Sequence, residues 1–319
     1  SLTPAQVAQL TSDIVWIEKQ TVILPSGKKV EALVPRVYAV VKKGDVDGNG
    51  TLISAEKVYV KGSELSNQGT IAGKQFTQIN TESLINAGKL AGGVLNATVA
   101  GNLDNIGGVL EADRAMILNI GGDFSHRSTM QTNEIQANGL TRIETNLDRK
   151  ALLHVKGKDG LLSVRANNIN LEGADVLNDG SGLTLLNSKN NLNLTSLSVG
   201  FDEKLGNANS YRNESVHEAV VSQVKGKGNV LLTGKNILSE GAQLESEAKL
   251  MAIAENDLVL NGAKESRDFE EFHKTKSGSV AKVTKTSLDQ QQSVTQVGTQ
   301  VSGKDVVLSA GHDVKAKGM

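Results

Sequence analysis

The chain has 319 residues, with 34 basic and 35 acidic side chains, no cysteine, and one Trp, three Tyr and five Phe. The absence of cysteine excludes disulfides, thiolate metal sites and thiol catalysis. Balanced charge argues against nucleic acid or an anionic membrane as the main partner, since both select a basic surface, and so few rings leave little material for platforms that stack sugars or bases.

The N-terminal segment, residues 1–44, is predicted to hold a short helix followed by a β-hairpin. Thr3 is a suitable N-cap for a helix that runs to about residue 13. Two stretches rich in Val, Ile, Tyr and Thr, Ile14–Leu24 and Lys29–Val41, flank a Pro-Ser-Gly-Lys turn and predict the two strands.

A calcium-loop pattern follows at Asp45. Oxygen-bearing side chains occupy the ligand positions of that pattern, with glycine at the sixth position: Asp45, Asp47, Asn49, Thr51 and Glu56. Hard oxygen ligands at this spacing suit Ca²⁺, the only cofactor that the sequence suggests. The same residues also fit the register of the repeat described next, and no helical pattern flanks them. A calcium site and a plain turn of the repeat therefore both remain open.

A 19-residue repeat begins in the next segment. Leu65–Ile71 recurs as Leu84–Leu90 and again as Leu103–Val109, with offsets of 84 − 65 = 19 and 103 − 84 = 19. The unit is too short for a helix pair, has apolar residues at every second position, and must stack on copies of itself to bury them. We therefore predict an all-β fold, a right-handed parallel β-helix over residues 45–319. A β-sandwich is the alternative, but it requires no fixed register of Asn and Gly.

The repeat places one asparagine at the same turn of each copy. Asn67, Asn86 and Asn105 are predicted to form a ladder in which each side-chain amide bonds to the next. Gly69, Gly88 and Gly107 follow at the same corner and would supply backbone freedom there.

A longer repeat organises the second half. Asn168–Ala174 recurs as Asn236–Ala242, an offset of 236 − 168 = 68. The polar stretches near 201–227 and 262–303 interrupt this pattern and carry charge in place of a core. We predict that they are loop or hairpin excursions that project from the β-helix.

Three stretches resemble the large exoproteins of the filamentous haemagglutinin type. The stretches Asn229–Ile237 and Asp257–Ala263 are similar to the haemagglutinin repeat of that family. The opening, Leu2–Thr21, looks like a segment found before the C-terminal repeat region of contact-dependent growth inhibition effectors.

The resemblance implies two-partner secretion through an outer-membrane transporter and a β-helical filament on the surface of a Gram-negative bacterium. It also implies adhesion or toxin delivery, with a host cell or a neighbouring bacterium as the target and a role in virulence. Because the chain starts at Ser1 and its repeats are cut off at Met319, we expect it to be an excised piece. The secretion and toxin domains would then lie outside it.

The sequence predicts a structural stalk and no enzyme. Its histidines are scattered without ligand spacing, which argues against a metal site; they are His126, His154, His217, His273 and His312. The alternative is a β-helical enzyme that degrades polysaccharides, a lyase or hydrolase. Such an enzyme would use clustered carboxylates, and the nearest cluster is Asp175 with Asp179, in a segment that reads as a turn.

Overall fold

The computed structural model describes residues 14–23, 29–38, 51–279 and 281–317. Every regular element in these ranges is a β-strand, which confirms the all-β class, and none of the described residues forms a helix that could cross a membrane. The chain divides into two compact units, Ser1–Gly50 and Thr51–Met319. The helix predicted up to residue 13 lies outside the described residues.

In chain order the strands are β1 (Ile14–Ile23), β2 (Lys29–Tyr38), β3 (Leu52–Asn67), β4 (Thr70–Asn86), β5 (Lys89–Val99), β6 (Leu103–Ile106), β7 (Val109–Ile120), β8 (Phe124–Arg127), β9 (Thr129–Ala137), β10 (Leu140–Arg149), β11 (Leu152–Val155), β12 (Leu161–Ala166), β13 (Ile169–Glu172), β14 (Asp175–Asn178), β15 (Thr184–Ser188), β16 (Asn191–Thr195), β17 (Leu197–Asn207), β18 (Ser210–Val220), β19 (Gln223–Gly226), β20 (Val230–Gly234), β21 (Asn236–Glu240), β22 (Gln243–Ser246), β23 (Lys249–Ala254), β24 (Leu258–Asn261), β25 (Ala263–Ser277), β26 (Val283–Val297), β27 (Gln300–Ser302), β28 (Asp305–Ala310) and β29 (Val314–Ala316).

The first unit contains one antiparallel pair. β1 and β2 occupy the two predicted strand segments and pair from Ile14↔Tyr38 to Ile23↔Lys29 without a register shift. The residues of the turn between them lie outside the described ranges.

The second unit contains a 21-stranded sheet in which all pairings are parallel. We call one copy of the repeat a rung; it consists of the strand or strands that pair with the equivalent strands of the next copy. The rungs are β3, β4, β5–β6, β7–β8, β11–β13, β14–β16, β19–β21, β22–β24 and β27–β29, numbered 1 to 9 in this order. From rung 5 onward each rung consists of three short strands.

Equivalent strands of successive rungs pair in register, which produces three columns. In the first column Leu110 pairs with Leu153, and Leu153 pairs with Val176. The second column contains pairs such as Leu162↔Thr184, and the third contains pairs such as Ile169↔Leu192. A residue on the inner face of one rung therefore lies against the inner face of the next.

The inner faces of all three columns share one hydrophobic core. Leu153 of the first column, Leu162 of the second and Ile169 of the third have no exposed surface and belong to the same buried cluster. The strands alternate buried and partly exposed residues, as the period-2 pattern predicts. Each fully buried Leu or Ile contributes on the order of 2 kcal/mol.

Six strands of the second unit lie outside the rungs and form an antiparallel sheet in the order β26-β25-β18-β17-β10-β9. It is built from three hairpins: hairpin 1 is β9–β10, hairpin 2 is β17–β18 and hairpin 3 is β25–β26. We call it the hairpin sheet.

The two predicted excursions correspond to hairpins 2 and 3, with corrections. Residues 223–226 form strand β19 of rung 7, and β27 (Gln300–Ser302) starts rung 9, so neither stretch belongs to an excursion. The excursions are also not separate projections, because they pair with each other and with hairpin 1, which the sequence analysis did not identify.

Candidate interaction surface

All three hairpins leave the rungs at one corner, between the third column and the next copy of the first column. Hairpin 1 follows rung 4, hairpin 2 follows rung 6 and hairpin 3 follows rung 8. Neighbouring hydrogen-bonded strands lie about 4.8 Å apart in any sheet. Two stacked rungs are therefore as wide as the two strands of one hairpin. A hairpin inserted after every second rung therefore lies beside the next hairpin at strand-pairing distance.

This match of spacing explains the continuity of the hairpin sheet. Hairpins 1 and 2 pair from Leu140↔Leu205 to Thr145↔Gly200, and hairpins 2 and 3 pair from Ser210↔His273 to His217↔Ser266. The intervening corners, Glu172-Gly173-Ala174 and Glu240-Gly241-Ala242, are tight and have glycine at φ +55° and +69°. The 68-residue repeat thus corresponds to two rungs, of which one is followed by a hairpin and the other by a tight corner.

A hydroxyl group closes the root of each hairpin. Ser128 Oγ donates to Gly173 O (2.6 Å) and accepts from Ala151 N (2.9 Å) at hairpin 1. Ser222 Oγ donates to Thr195 O (2.8 Å) at hairpin 2, and Thr299 Oγ1 donates to Asn261 O (2.7 Å) at hairpin 3. Backbone groups that the excursion removes from the parallel sheet are satisfied in this way.

Hairpin 1 carries a strong sequence signal that the sequence analysis missed. Its two strands join at Asn138-Gly139, whose φ angles are +30° and +84°. Asn-Gly is the preferred dipeptide of a two-residue hairpin turn, because both central residues need positive φ. The signal could have located the hairpin but not its partner strand.

One face of the hairpin sheet carries arginines over aromatic rings. Arg142 lies 2.9 Å from Glu203, and its guanidinium carbon lies 3.9 Å from the centre of the Phe201 ring. Arg212 lies 2.8 Å from Glu214. Glu203 and Glu214 are directly opposite each other, so each arginine compensates one member of a like-charged pair. The hydrogen bond to Glu203 raises the pKa of Arg142.

The opposite face carries a second polar and aromatic cluster. Tyr211 and Phe272 stack with ring centres 5.3 Å apart. Gln290 donates a hydrogen bond (2.6 Å) to Glu270, and this bond lowers the pKa of the Glu270 carboxyl. The low aromatic content of the chain therefore does not prevent a local concentration of rings in the hairpin sheet.

Ser215, His217 and Asp202 meet on this second face. The Ser215 hydroxyl donates to Asp202, and His217 Nε2 lies 3.1 Å from Ser215 Oγ and 3.3 Å from Asp202 Oδ1. Both neighbours contact the same ring nitrogen, whereas a hydrolytic triad needs the acid on Nδ1 and the nucleophile on Nε2. The geometry is that of a surface hydrogen-bond cluster.

Next to the tip of hairpin 1 lies a depression of about 620 Å³. It arises because hairpin 1 ends at Ala137↔Leu140, whereas hairpin 2 extends to Asn207↔Ser210. Lys204 and Tyr211 line it, together with backbone of hairpin 1. It provides a cation, a ring and amide groups at an open surface.

The asparagines predicted to form a ladder are hydrogen-bonded to one another at the corner from which the hairpins emerge. Asn67 Nδ2 donates to Asn86 Oδ1 (2.8 Å), and Asn86 Nδ2 donates to Asn105 Oδ1 (2.7 Å). Asn86 and Asn105 are fully buried. Each amide also donates to a backbone carbonyl of its own corner, for example Asn105 Nδ2 to Gly108 O at 2.8 Å.

His126 continues this ladder into rung 4. Asn105 Nδ2 lies 3.0 Å from His126 Nδ1, and because the amide nitrogen is a donor, Nδ1 accepts. The proton is therefore on Nε2, which donates to Asp175 O at 2.9 Å. Complete burial lowers the pKa of His126 to about 4. Its offset from Asn105, 126 − 105 = 21, departs from the 19-residue period, and the sequence analysis left it among the scattered histidines.

Only the end of the calcium-loop pattern is described. Asp45, Asp47 and Asn49 lie outside the described residues. The Thr51 carbonyl accepts the Thr70 N–H at 2.9 Å, and Glu56 lies in β3 with its carboxylate 3.3 Å from Lys74 Nζ. Within the described ranges no group of three or more His, Asp or Glu side chains could hold a metal ion. The calcium site remains a prediction.

Asp175 and Asp179 do not converge on one point of the surface. The Asp175 carboxylate lies 3.2 Å from Lys150 Nζ, and Asp179 lies 2.8 Å from His154 Nε2. Burial raises the pKa of Asp175, and the Lys150 charge opposes this shift. The two carboxylates thus have separate partners.

Comparison with known proteins identifies one similar region. Over 94 residues, 29% of this chain, the sequence is 39% identical to a protein named Deoxyribonuclease CdiA from Dickeya dadantii (strain 3937). The matched region is 3% of that protein's length, so the chain spans a small part of it. No protein-family model matches the chain, and no solved structure matches it. The similarity relates part of the chain to CdiA.

Proposed function

We propose that the nine rungs close into a right-handed parallel β-helix. The observation that supports this most strongly is the single core shared by all three columns. Leu244, Leu250 and Leu258, one from each column of rung 8, are all fully buried in that cluster. Three strand faces can cover one core only if they surround it. Right-handed closure follows the general preference of parallel strand connections.

We propose that this β-helix is a stalk segment of a secreted surface protein related to CdiA in a Gram-negative bacterium. The similarity to CdiA over part of the chain and the resemblance of segments in rungs 7 and 8 to haemagglutinin repeats support this role. The stalk would serve adhesion or delivery of a C-terminal toxin in contact-dependent growth inhibition. Its partners would be a two-partner-secretion transporter, acting on a domain outside this chain, and the surface of a host or neighbouring bacterial cell.

We propose that the segment itself is not an enzyme. The deoxyribonuclease of the relative's name belongs to that whole protein, of which the similar region is 3%. The runner-up function, polysaccharide degradation, would require converging catalytic carboxylates. Asp175 and Asp179, each with its own cationic or imidazole partner, favour the stalk. Incubation of the purified chain with uronate polymers tests this, and release of unsaturated or reducing ends would contradict it.

If the segment is a stalk of equivalent rungs, whole repeats can be removed without unfolding the rest. Val176, Val224 and Leu244 are equivalent positions of rungs 6, 7 and 8. Deletion of residues 176–243 joins Asp175 directly to Leu244, so two rungs and hairpin 2 disappear while the inner face of the column is preserved. The hairpin spacing is also preserved, because hairpins 1 and 3 then lie two rungs apart. We expect a folded, cooperatively unfolding protein by circular dichroism and urea titration.

The matched control removes one residue more. Deletion of residues 176–244 places Glu245 in the inward position of Val176, because neighbouring residues of a strand point to opposite faces. Burial of an unpaired carboxylate costs several kcal/mol, so this variant should lose stability strongly. Equal stability of the two deletions would show that the rungs are not the interchangeable units that a stalk requires.

A further inference from the structure

The corner between the first and second columns carries one position that is charged and exposed in nearly every rung. Continued by one residue past pairs such as Ala55↔Gly73 and Val155↔Asn178, the register of the first column aligns one residue from each rung at this corner. In rung order the aligned residues are Glu56, Lys74, Gly93, Asp113, Lys156, Asp179, Lys227, Glu247 and Lys304. We call these residues the charge row.

The charges of this row alternate in sign. Rungs 4, 6 and 8 contribute an acidic residue and rungs 5, 7 and 9 contribute a lysine. In rungs 1 and 2 the signs are also opposite, with the Glu56 carboxylate 3.3 Å from Lys74 Nζ. Gly93 separates Lys74 from the later members, so neighbouring residues of the row never carry the same sign. The alternation has the same two-rung period as the hairpins, which follow the acidic rungs.

The core does not distinguish one rung from the next. The equivalent inward residues of the first column in rungs 5 to 8 are all aliphatic and fully buried, namely Leu153, Val176, Val224 and Leu244. A stack that skipped one rung would therefore bury side chains of the same kind. In the charge row, however, the same skip joins like charges, because Asp179 would meet Glu247 and Lys156 would meet Lys227. Like charges directly opposite each other are destabilising.

We propose that the charge row selects which rung stacks on which, because every one-rung skip brings like charges together. Two of its members also bond to the rung before them in the native order. Lys156 Nζ lies 2.7 Å from Glu111, and Asp179 lies 2.8 Å from His154 Nε2. Exposed ion pairs contribute little to total stability, so the row acts on the choice between registers. This selection depends on the pairing of the rungs and not on what the stalk carries.

Charge reversal at two neighbouring members of the row measures their coupling. Asp179→Lys and Lys227→Asp each create two like-charged contacts, and we expect each to raise the unfolding equilibrium constant in urea about fivefold. The double variant also has two like-charged contacts, because positions 179 and 227 attract each other again. It should therefore unfold about as readily as either single variant, whereas independent sites would give about 25-fold. All these changes should shrink in high salt.

Lys235→Asp is the matched control for stability. Lys235 lies at the next corner, between Lys189 of rung 6 and Glu255 of rung 8, two residues past the aligned Asn187, Thr233 and Ile253. Reversal of its charge exchanges one like-charged contact for another, so the unfolding equilibrium constant should stay at the wild-type value. Circular dichroism verifies that the variants fold.

Refolding with two introduced cysteines tests the register itself, because the chain has no cysteine of its own. Asn187 and Ile253 are equivalent outward positions of rungs 6 and 8, so in the native stack they lie two strand spacings apart, about 9.6 Å, too far for a disulfide. The pair Asn187→Cys with Ile253→Cys should stay reduced in the native register and join when rung 7 is skipped. Added Asp179→Lys attracts Glu247 and repels Lys227, so the disulfide fraction after dilute oxidative refolding should rise several-fold.

Asp289→Lys in the same two-cysteine chain is the matched control for refolding. It makes the same change of net charge at an exposed residue of the hairpin sheet, and should leave the disulfide fraction unchanged. Mass spectrometry after alkylation measures that fraction. A double variant at 179 and 227 that loses the full additive amount, or equal disulfide fractions with Asp179→Lys and Asp289→Lys, would overturn the proposal.

Discussion

The buried histidine at the end of the asparagine ladder makes stability depend on pH. The pKa of His126 is lowered from 6.5 to about 4 by burial, and Lys150 acts in the same direction, while the hydrogen bond to the Asp175 carbonyl opposes both. The folded pKa lies below the unfolded one, so the contribution of His126 is complete above pH 6.5. It is lost as pH falls from 6.5 to 4, because only the unfolded chain takes up the proton.

The magnitude follows from the size of the shift. One pKa unit corresponds to 1.36 kcal/mol, so a shift from 6.5 to about 4 removes about 3 kcal/mol in total, of which about 2 kcal/mol is lost by pH 5. The hydrogen-bond geometry also disfavours protonation of folded His126. In a protonated ring Nδ1 would become a donor that faces the Asn105 amide, which is also a donor.

Urea unfolding between pH 8 and pH 4 measures this effect. His126→Asn lowers absolute stability by removing the ring that stacks on Phe124 at 5.6 Å, but it should abolish most of the pH dependence between 6.5 and 4. The matched control is His312→Asn, at an exposed histidine of rung 9, which should keep the wild-type dependence. If His126→Asn and wild type lose stability in parallel as the pH falls, the assigned tautomer and its consequence are wrong.

Three substitutions test the corner and the hairpin sheet. Asn86→Leu should cost about 1–3 kcal/mol by urea titration, because Asn105 Oδ1 loses its donor and Asn67 Nδ2 loses one of its acceptors, whereas the exposed Ser63→Ala should change nothing measurable. Gly88→Val should lower the melting temperature at least as much, because a Cβ there would lie 2.1 Å from Gly69 O; an unchanged value would refute this close approach. Arg142→Met should speed hydrogen exchange in β10 and β17, since Glu203 then faces Glu214 with one compensating arginine fewer; unaltered exchange would show that the ion pairs do not hold the hairpins together.

The glycines at the corner show that the sequence predicts their position but not the reason for it. The repeat places Gly69, Gly88 and Gly107 beside the ladder, and backbone freedom was the expected reason. Of these three glycines only Gly107 has positive φ, at +59°. Gly88 is needed because the rung below passes too close for a side chain. Such a distance between rungs is a tertiary property that no local pattern contains.

The sequence by itself determined the stacking of the rungs. Leu84 and Leu103 recur 19 residues apart with a two-residue side-chain period, and in-register parallel pairing is the arrangement that buries every copy against the next. The same periodicity places Asn67, Asn86 and Asn105 at one corner, where their short spacing along the stack brings the amides into hydrogen-bonding distance.

Only the tertiary structure decided what the hairpins do and where the ladder ends. Local signals can mark a hairpin, as Asn138-Gly139 does, but the pairing Leu140↔Leu205 depends on two rungs being as wide as two strands. His126 joins the ladder at an offset that departs from the repeat, because its ring reaches both Asn105 and the Asp175 backbone. Both features depend on distances between segments that are far apart in the chain. These distances are set by the stacking of the rungs, and a local sequence pattern does not contain them.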